Sequence, residues 1–162
     1  MFVRKTTIED IDRVMEIYAH AREMMIENGN PMQWGMVHPP LRLIKNDIRE
    51  GMSYVCCDEN GVVLAVFYLA KGPDSTYEKI DGAWLNDEAY GVVHRIARAG
   101  DGAAGSGAFC LEWCSQQFPN IRIDTHADNV PMRKLLERLG YVYCGIIRIE
   151  NGDERLAYQK GS

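Results

Sequence analysis

Four glycines fall within the eleven residues Arg98-Ala-Gly-Asp-Gly-Ala-Ala-Gly105-Ser106-Gly107-Ala108, after an apolar run and before a helical pattern. Glycine permits positive φ and lets a ligand approach the main chain, and the first N–H groups of a helix lack internal partners at its positive end. The chemistry such a segment can do is to hold an anion, a phosphate above all. The backbone of Gly102, Ala104, Gly105, Ser106, Gly107 and Ala108 would form the cradle. An ordinary βα turn has the same composition, so the loop alone leaves both readings open. No Lys follows the glycines, which removes a Walker-type nucleotide loop.

The rest of the composition bounds the class. At 162 residues, 46% hydrophobic and 25% charged, the chain reads as one globular domain over residues 1–160. No apolar stretch approaches the roughly 20 residues that span a bilayer, and Met1 leads straight into a charged strand, so a cytoplasmic protein with no membrane partner is expected. Cys56, Cys57, Cys110, Cys114 and Cys144 lie in apolar runs with no zinc-knuckle spacing. They read as buried reduced thiols, and no metal is expected. Residues 1–90 carry a net charge of -6 and residues 91–162 a net of +1. The acidic part repels nucleic acid and suits a cation, while the mildly basic part holds the glycine loop.

The elements that must position these groups can be read in order. Phe2–Lys5 is a short strand; Thr6 and Glu9 form a capping box ahead of an amphipathic helix whose apolar positions are Ile11, Val14, Met15, Tyr18 and Met25. After Asn28-Gly-Asn-Pro31 a loop with Trp34 and His38 leads to a helix over 41–49. Strands over 53–58 and 62–70 are joined by Glu59-Asn60-Gly61, a hairpin signal. The connection 71–90 is too long to be idle. A strand over 91–99, the glycine loop, a helix over 105–118, a strand over 121–125, a helix capped by Asn129 and stopped by Gly140, and a closing hairpin of 141–149 with 155–160 complete the chain.

In the order β, α, α, β, β, β, glycine loop, α, β, α, β, β, the chain resembles the GNAT superfamily of acyl-CoA-dependent N-acetyltransferases over nearly its whole length. Three pieces carry the resemblance: Gly102-Ala-Ala-Gly105-Ser-Gly107-Ala108, Ile121-Arg-Ile-Asp-Thr125-His-Ala-Asp-Asn129 entering a helix, and its exit Leu139-Gly140-Tyr141. They look like the family's pyrophosphate loop, its splayed fifth strand with an Asn, and its terminal Gly-aromatic pair. The implied fold is α/β (α+β): a mixed, mostly antiparallel sheet of about 6–7 strands, splayed between the fourth and fifth and flanked by about four helices. Two departures stand out. Gly102 occupies a position where the family usually has Arg or Gln, so only backbone amides offer donors there. Leu136 stands seven residues after Asn129, where the family often has a general-acid Tyr.

The resemblance implies acetyl-CoA as cosubstrate and direct attack of a primary amine, from a small molecule or a peptide, on the thioester. A backbone N–H of the splayed strand near Ile96 or Ala97 would meet the oxyanion, and Asn129 would contact the cofactor as well as cap its helix. An ammonium with a solution pKa of about 10.4 must lose its proton first. His94 on the strand, with an unperturbed value of about 6.5, is weighed against Asp74, Asp87 and Glu88. His126, beside Asp124, is a further catalytic candidate and equally a histidine that fixes a helix start. Trp34, Tyr77 and Trp84 lie in the two irregular segments that flank the family's acceptor cleft; with Asp74, Glu78 and Asp81 they would suit an ammonium, and they would equally serve to pack the sheet. A homodimer is compatible with the resemblance. A non-catalytic acyl-CoA-binding or sensing module fits the same loop and the loss of the phenol at Leu136. A Cys-dependent thioesterase needs a Cys–His partnership that linear sequence does not display.

Overall fold

The computed structural model describes residues 1–100 and 102–161. Strand periodicity fixes which side chains go where: Cys56 and Cys57, Val66 and Phe67, and Val92 and Val93 turn to opposite faces of one sheet and are all buried. The strands are β1 (Phe2–Lys5), β2 (Ser53–Cys57), β3 (Val63–Lys71), β4 (Asp81–Gly82), β5 (Gly91–Arg98), β6 (Ile121–Thr125), β7 (Val142–Arg148) and β8 (Glu154–Lys160). They form one eight-stranded sheet in the order β1-β2-β3-β5-β6-β8-β7-β4. The helices are α1 (Ile11–Glu27), α2 (Leu41–Arg49), α3 (Ser106–Gln117) and α4 (Val130–Arg138). On one face α1 and α2 close a cluster of Val14, Ile17, Tyr18, Ile44, Val55, Cys57, Val66 and Ala97. On the other, α3 and α4 pack Leu111, Cys114 and Leu136 against Cys56, Phe67, Val93, Ile123 and Tyr158.

All pairings are antiparallel except β5 with β6, which run parallel and stay in register only at Gly91↔Ile121, Val92↔Arg122 and Val93↔Ile123. Beyond Val93 the strands part: β5 continues beside β3 and β6 beside β8. The expected splay is therefore present, between the fourth and fifth long strands. The eighth strand is β4, two residues inside the connection 71–90 that cross to pair with β7 at the far edge. A Cβ on Gly82 would sit 2.1 Å from Cys144 O, and one on Gly145 2.1 Å from Asp81 O, so the two backbones touch where only glycine fits.

One local expectation is corrected. The capping box is made by Thr7 and Asp10, with the Thr7 N–H donating to Asp10 Oδ2 at 2.8 Å. Asp10 is fixed there by both terminal nitrogens of Arg4, at 2.8 and 3.0 Å. Thr6 is buried, its hydroxyl paired with Ser53 Oγ at 2.8 Å.

Candidate active site

Parting of β5 and β6 opens a cavity of about 410 Å³. Its floor is Val93, His94, Arg95 and Ile96 from β5 and Ile123, Asp124 and Thr125 from β6. Met32, Gln33, Trp34, Gly35 and His38 cover it from the segment between α1 and α2, Asn129 and Met132 come from the start of α4, and Ile149, Asn151, Asp153 and Arg155 come from the closing hairpin.

Two carboxylates stand behind and within this floor. His94 Nε2 lies 2.8 Å from Asp74 Oδ2, the two side chains being 26% and 22% exposed. Asp74 also accepts from the Thr76 N–H at 3.0 Å and the Thr76 hydroxyl at 2.6 Å. The hydrogen bond from His94 is the largest influence holding Asp74 well below the usual carboxylate range, outweighing its burial. An ionised acceptor on Nε2 makes Nε2 the protonated nitrogen and leaves Nδ1 as the basic one. Asp124 Oδ2 accepts from the Tyr77 hydroxyl at 2.7 Å. Burial pushes Tyr77 well above its ordinary range, so it remains a phenol donor.

The splay is pinned by a bulge. Tyr68 pairs with His94 and Val66 with Ala97, which leaves Phe67 facing both Arg95 and Ile96. Arg95 adopts φ +51°, a rare conformation for a long side chain that its surroundings must hold. They do so from three sides. Arg95 Nε and Nη2 each reach Asp47 at 2.9 Å, the Tyr18 hydroxyl donates to Arg95 O at 2.8 Å, and the guanidinium lies 4.6 Å from the centroid of the Tyr68 ring. Ile96, on the bulge, lines the cavity, whereas Ala97 is paired with Val66 and buried in the α1 face.

From Gly100 onward the same strand leads into the glycine loop. Gly105 is the N-cap of α3 at φ +82°, and a Cβ placed on it meets no atom within 4 Å. Gly102 has the same open space at φ +95°. The first helical hydrogen bond runs from Phe109 N–H to Gly105 O at 3.0 Å, so the Gly107 and Ala108 amides precede it and belong to those a helix leaves without internal partners. Ser106 is fully buried, with both its N–H and its hydroxyl donating to Ala103 O, at 3.1 and 2.6 Å; it closes the loop from behind. Asn129 caps α4, its Oδ1 accepting from Met132 N–H at 3.2 Å, and its Nδ2 donates to Gln33 Oε1 at 3.0 Å, tying the covering segment to the helix.

Of the residues singled out from sequence, the structure brings His94, Ile96, Asn129 and Trp34 to the cavity. Asp74 and Tyr77 stand one step back, holding His94 and Asp124. Trp84 lies further out, its Nε1 donating to Tyr77 O at 2.9 Å and its ring under the Arg122 guanidinium. His126 faces its own loop, Nδ1 accepting from Asp128 N–H at 3.0 Å. Glu88 Oε2 accepts from Asn120 Nδ2 at 3.2 Å, away from the cavity. Leu136 is fully buried in the helix-side core and is not among the cavity's lining residues, although Asn129 and Met132, earlier on the same helix face, are. Gln33, Asp47, Arg95 and Arg155 were not found from sequence. Nothing local marks them, because each acts through a partner at least 48 residues away, as in Arg95 with Asp47 and Arg155 with Gln33.

The five cysteines are unpaired and buried. Burial pushes Cys114 up to about 12, and the contact with Cys56 together with burial raises Cys110 further, so neither is a thiolate nucleophile. Among the described residues, no group of three or more His, Cys, Asp or Glu side chains is placed to hold a metal ion, and no helix is long and apolar enough to cross a membrane.

No protein-family model and no curated protein sequence matches the chain. Solved structures do. A GNAT-family acetyltransferase from Streptococcus agalactiae 2603 is 30% identical, with 99% of this chain and 95% of that one aligned at a TM-score of 0.88. One from Listeria monocytogenes 4b F2365 is 20% identical over 98% and 93% of the two chains at 0.72. The NatB acetyltransferase complex bound to CoA and MES contains a chain that is 14% identical over 99% and 98%, at 0.64, and shares the fold. With the splayed sheet, the bulge and the glycine loop already in place, the first of these likenesses shows that the chain belongs to the GNAT family of acetyltransferases.

Proposed function

We propose that the protein transfers an acetyl group from acetyl-CoA to a primary amine by direct attack. The observation that carries this reading is the succession along one stretch of chain of His94, held by Asp74, the bulge at Arg95 and Ile96 where β5 parts from β6, and, beyond the strand's end, an open glycine loop. The residues present fit the cosubstrate. Gly105 has open space where a Cβ would stand, and the amides around Gly102, Ala104, Gly105, Gly107 and Ala108 give an anion cradle that needs no side chain, with Ser106 as its brace. Asn129 lines the cavity.

When bound, acetyl-CoA supplies the acyl thioester. His94, oriented by Asp74, takes the proton of the ammonium at Nδ1 and frees the lone pair for attack on the carbonyl carbon. The Ile96 N–H, on the bulge, meets the charge that develops on the carbonyl oxygen. As the C–N bond forms and the C–S bond breaks, the nitrogen's second proton passes to water; with Leu136 in place of a phenol, this chain offers the departing sulfur no side-chain donor, and the sulfur's proton comes from the same solvent. That buried leucine also favours a second reading, an acyl-CoA-binding module without turnover.

Thiol release from acetyl-CoA in the presence of primary amines tests the proposal. Turnover by the wild type and a loss of about 100-fold or more in His94→Ala is expected. Release insensitive to His94→Ala removes the His–Asp pair from the mechanism. Tight acetyl-CoA binding with no release for any amine selects the binding module.

A further inference from the structure

Three charged side chains border the cavity without an ionic partner among the described residues: Arg155, Asp124 and the more exposed Asp153. Arg155 is only 5% exposed, and its guanidinium reaches main-chain carbonyls alone: Nη1 to Glu154 O at 2.9 Å and Nη2 to Gln33 O at 3.1 Å. A guanidinium has five donors in a planar fork, so most remain unused. No carboxylate pairs with it among the described residues. Asp153 also lines the cavity, but its Oδ2 accepts from Asn151 Nδ2 at 3.1 Å and it forms no ion pair with Arg155. Nearby cations are otherwise engaged, Arg95 with Asp47 and Arg22 with His38 O at 3.4 Å. On the other side, Asp124 has the Tyr77 hydroxyl as its partner and no cation.

Sheet register relates Arg155 to Asp124. Asp124 pairs with Ala157, so Arg155, two residues along β8, is its diagonal neighbour on the same face. Diagonal neighbours stand about 7–8 Å apart at Cα. A buried cation without a counter-charge is unfavourable unless a ligand completes it, and so is a carboxylate facing a half-closed cavity. One small molecule carrying both an ammonium and a carboxylate satisfies both groups at once.

We propose that the acceptor is a free amino acid, with its carboxylate in the fork of Arg155 and its ammonium between Asp124 and His94. This rests on the acetyltransferase reading above. Met25, Met32, Trp34 and Ile149 give its side chain an apolar wall. Transfer forms the N–C bond and breaks the C–S bond; of the two protons that the ammonium nitrogen loses, one goes to His94 and the other to water, and solvent protonates the departing thiolate. The product is a neutral amide that no longer pairs with Asp124, which favours its release. A peptide N-terminus or an internal lysine lacks the nearby carboxylate, and a polyamine would place a cation on Arg155.

The test compares thiol release for a panel of free α-, β- and γ-amino acids with that for their amides and, where these exist, the decarboxylated amines. The best free acid is expected to exceed its amide and amine at least ten-fold in kcat/KM. Arg155→Gln should bring that ratio close to one, and the ratio is insensitive to a general loss of folded protein. Amides or amines turned over as well as the acids would overturn the proposal, as would an acid preference that survives Arg155→Gln. If acetyl-CoA binds but no amine is acetylated, catalysis fails as a reading. The anion subsite is then read separately by calorimetry with N-acetyl amino acids against their amides in the presence of CoA, where equal affinities overturn it.

Discussion

Gly105 and Gly61 offer a matched pair of perturbations. Both lie in the left-handed region, at φ +82° and +81°, and a Cβ on either meets no atom within 4 Å. Replacing either with alanine therefore adds backbone strain and no clash. That strain is about 1–2 kcal/mol for an L-residue, and at about 2–4 °C per kcal/mol for a domain of this size both variants should lose about 2–8 °C in Tm. Their positions separate them: Gly61 turns the β2–β3 hairpin, while Gly105 opens α3 beside the amides assigned to the pyrophosphate. A methyl in that open space should remove at least one charge-assisted amide–phosphate bond, about 1.5–3 kcal/mol. At 1.4 kcal/mol per ten-fold, CoA affinity falls by about 10- to 150-fold. Gly105→Val should lose more. Calorimetric titration with CoA, beside thermal melts of both variants, reads the two effects independently. Gly105→Ala melting like Gly61→Ala yet binding CoA with wild-type affinity would refute the assignment of this loop.

Other consequences are as open to measurement. Asp47→Ala leaves Arg95 half-buried and unpaired behind a strained bulge; about 3–5 kcal/mol of stability should be lost in urea unfolding, and a loss under about 1 kcal/mol would contradict the pinning. Asp74→Asn should lower kcat/KM at least ten-fold without changing acetyl-CoA affinity, because it removes the acceptor that orients His94; unaltered turnover speaks against the pair. Burial, with the fields of Arg95, Arg155 and Arg22, holds His38 below the ordinary histidine value, so the unfolded chain binds a proton that the folded one does not. Stability should therefore fall as pH drops through about 6.5, and His38→Gln should flatten that part of the curve; an unchanged slope rules it out as the source. Asp10 and Asp74 act in a separate window: both are depressed, so their contribution is present above about 3.9 and is lost as pH falls through their folded values.

Sequence patterns exposed the parts of the fold that are local. Asn60-Gly61 marked the β2–β3 hairpin, the period of Met132, Leu135, Leu136 and Leu139 marked α4, and Asn129 with Gly140 bounded it, all as observed. Gly105 marked the α3 N-terminus for the same reason: positive φ is written in the residue type. What could not be read depends on pairing across the chain. Asp81-Gly82 is too short to show alternation and becomes a strand only because Gly145 lets the backbones touch. The order β6-β8-β7 likewise follows from packing. At the site, His94 was visible as one candidate base beside three carboxylates, but that one of those, Asp74, is its hydrogen-bond partner shows only once the chain from 71 to 90 is folded over it. Aromatic clustering in that connection drew Tyr77 and Trp84 toward a substrate; they stand behind the cavity, one of them holding Asp124. Arg95 and Arg155 carried no sequence signal, since an arginine in a strand is ordinary until its burial and missing counter-charge are seen.

The central claim is that the gap between β5 and β6, with its glycine loop, is a site for acetyl-CoA. Isothermal titration of the purified protein with acetyl-CoA, CoA and desulfo-CoA, without any acceptor, tests it most directly. One site per chain with a micromolar dissociation constant, about 8 kcal/mol, is the predicted result for all three. No heat and no binding with any of them would contradict the account, because the loop would then be only a turn.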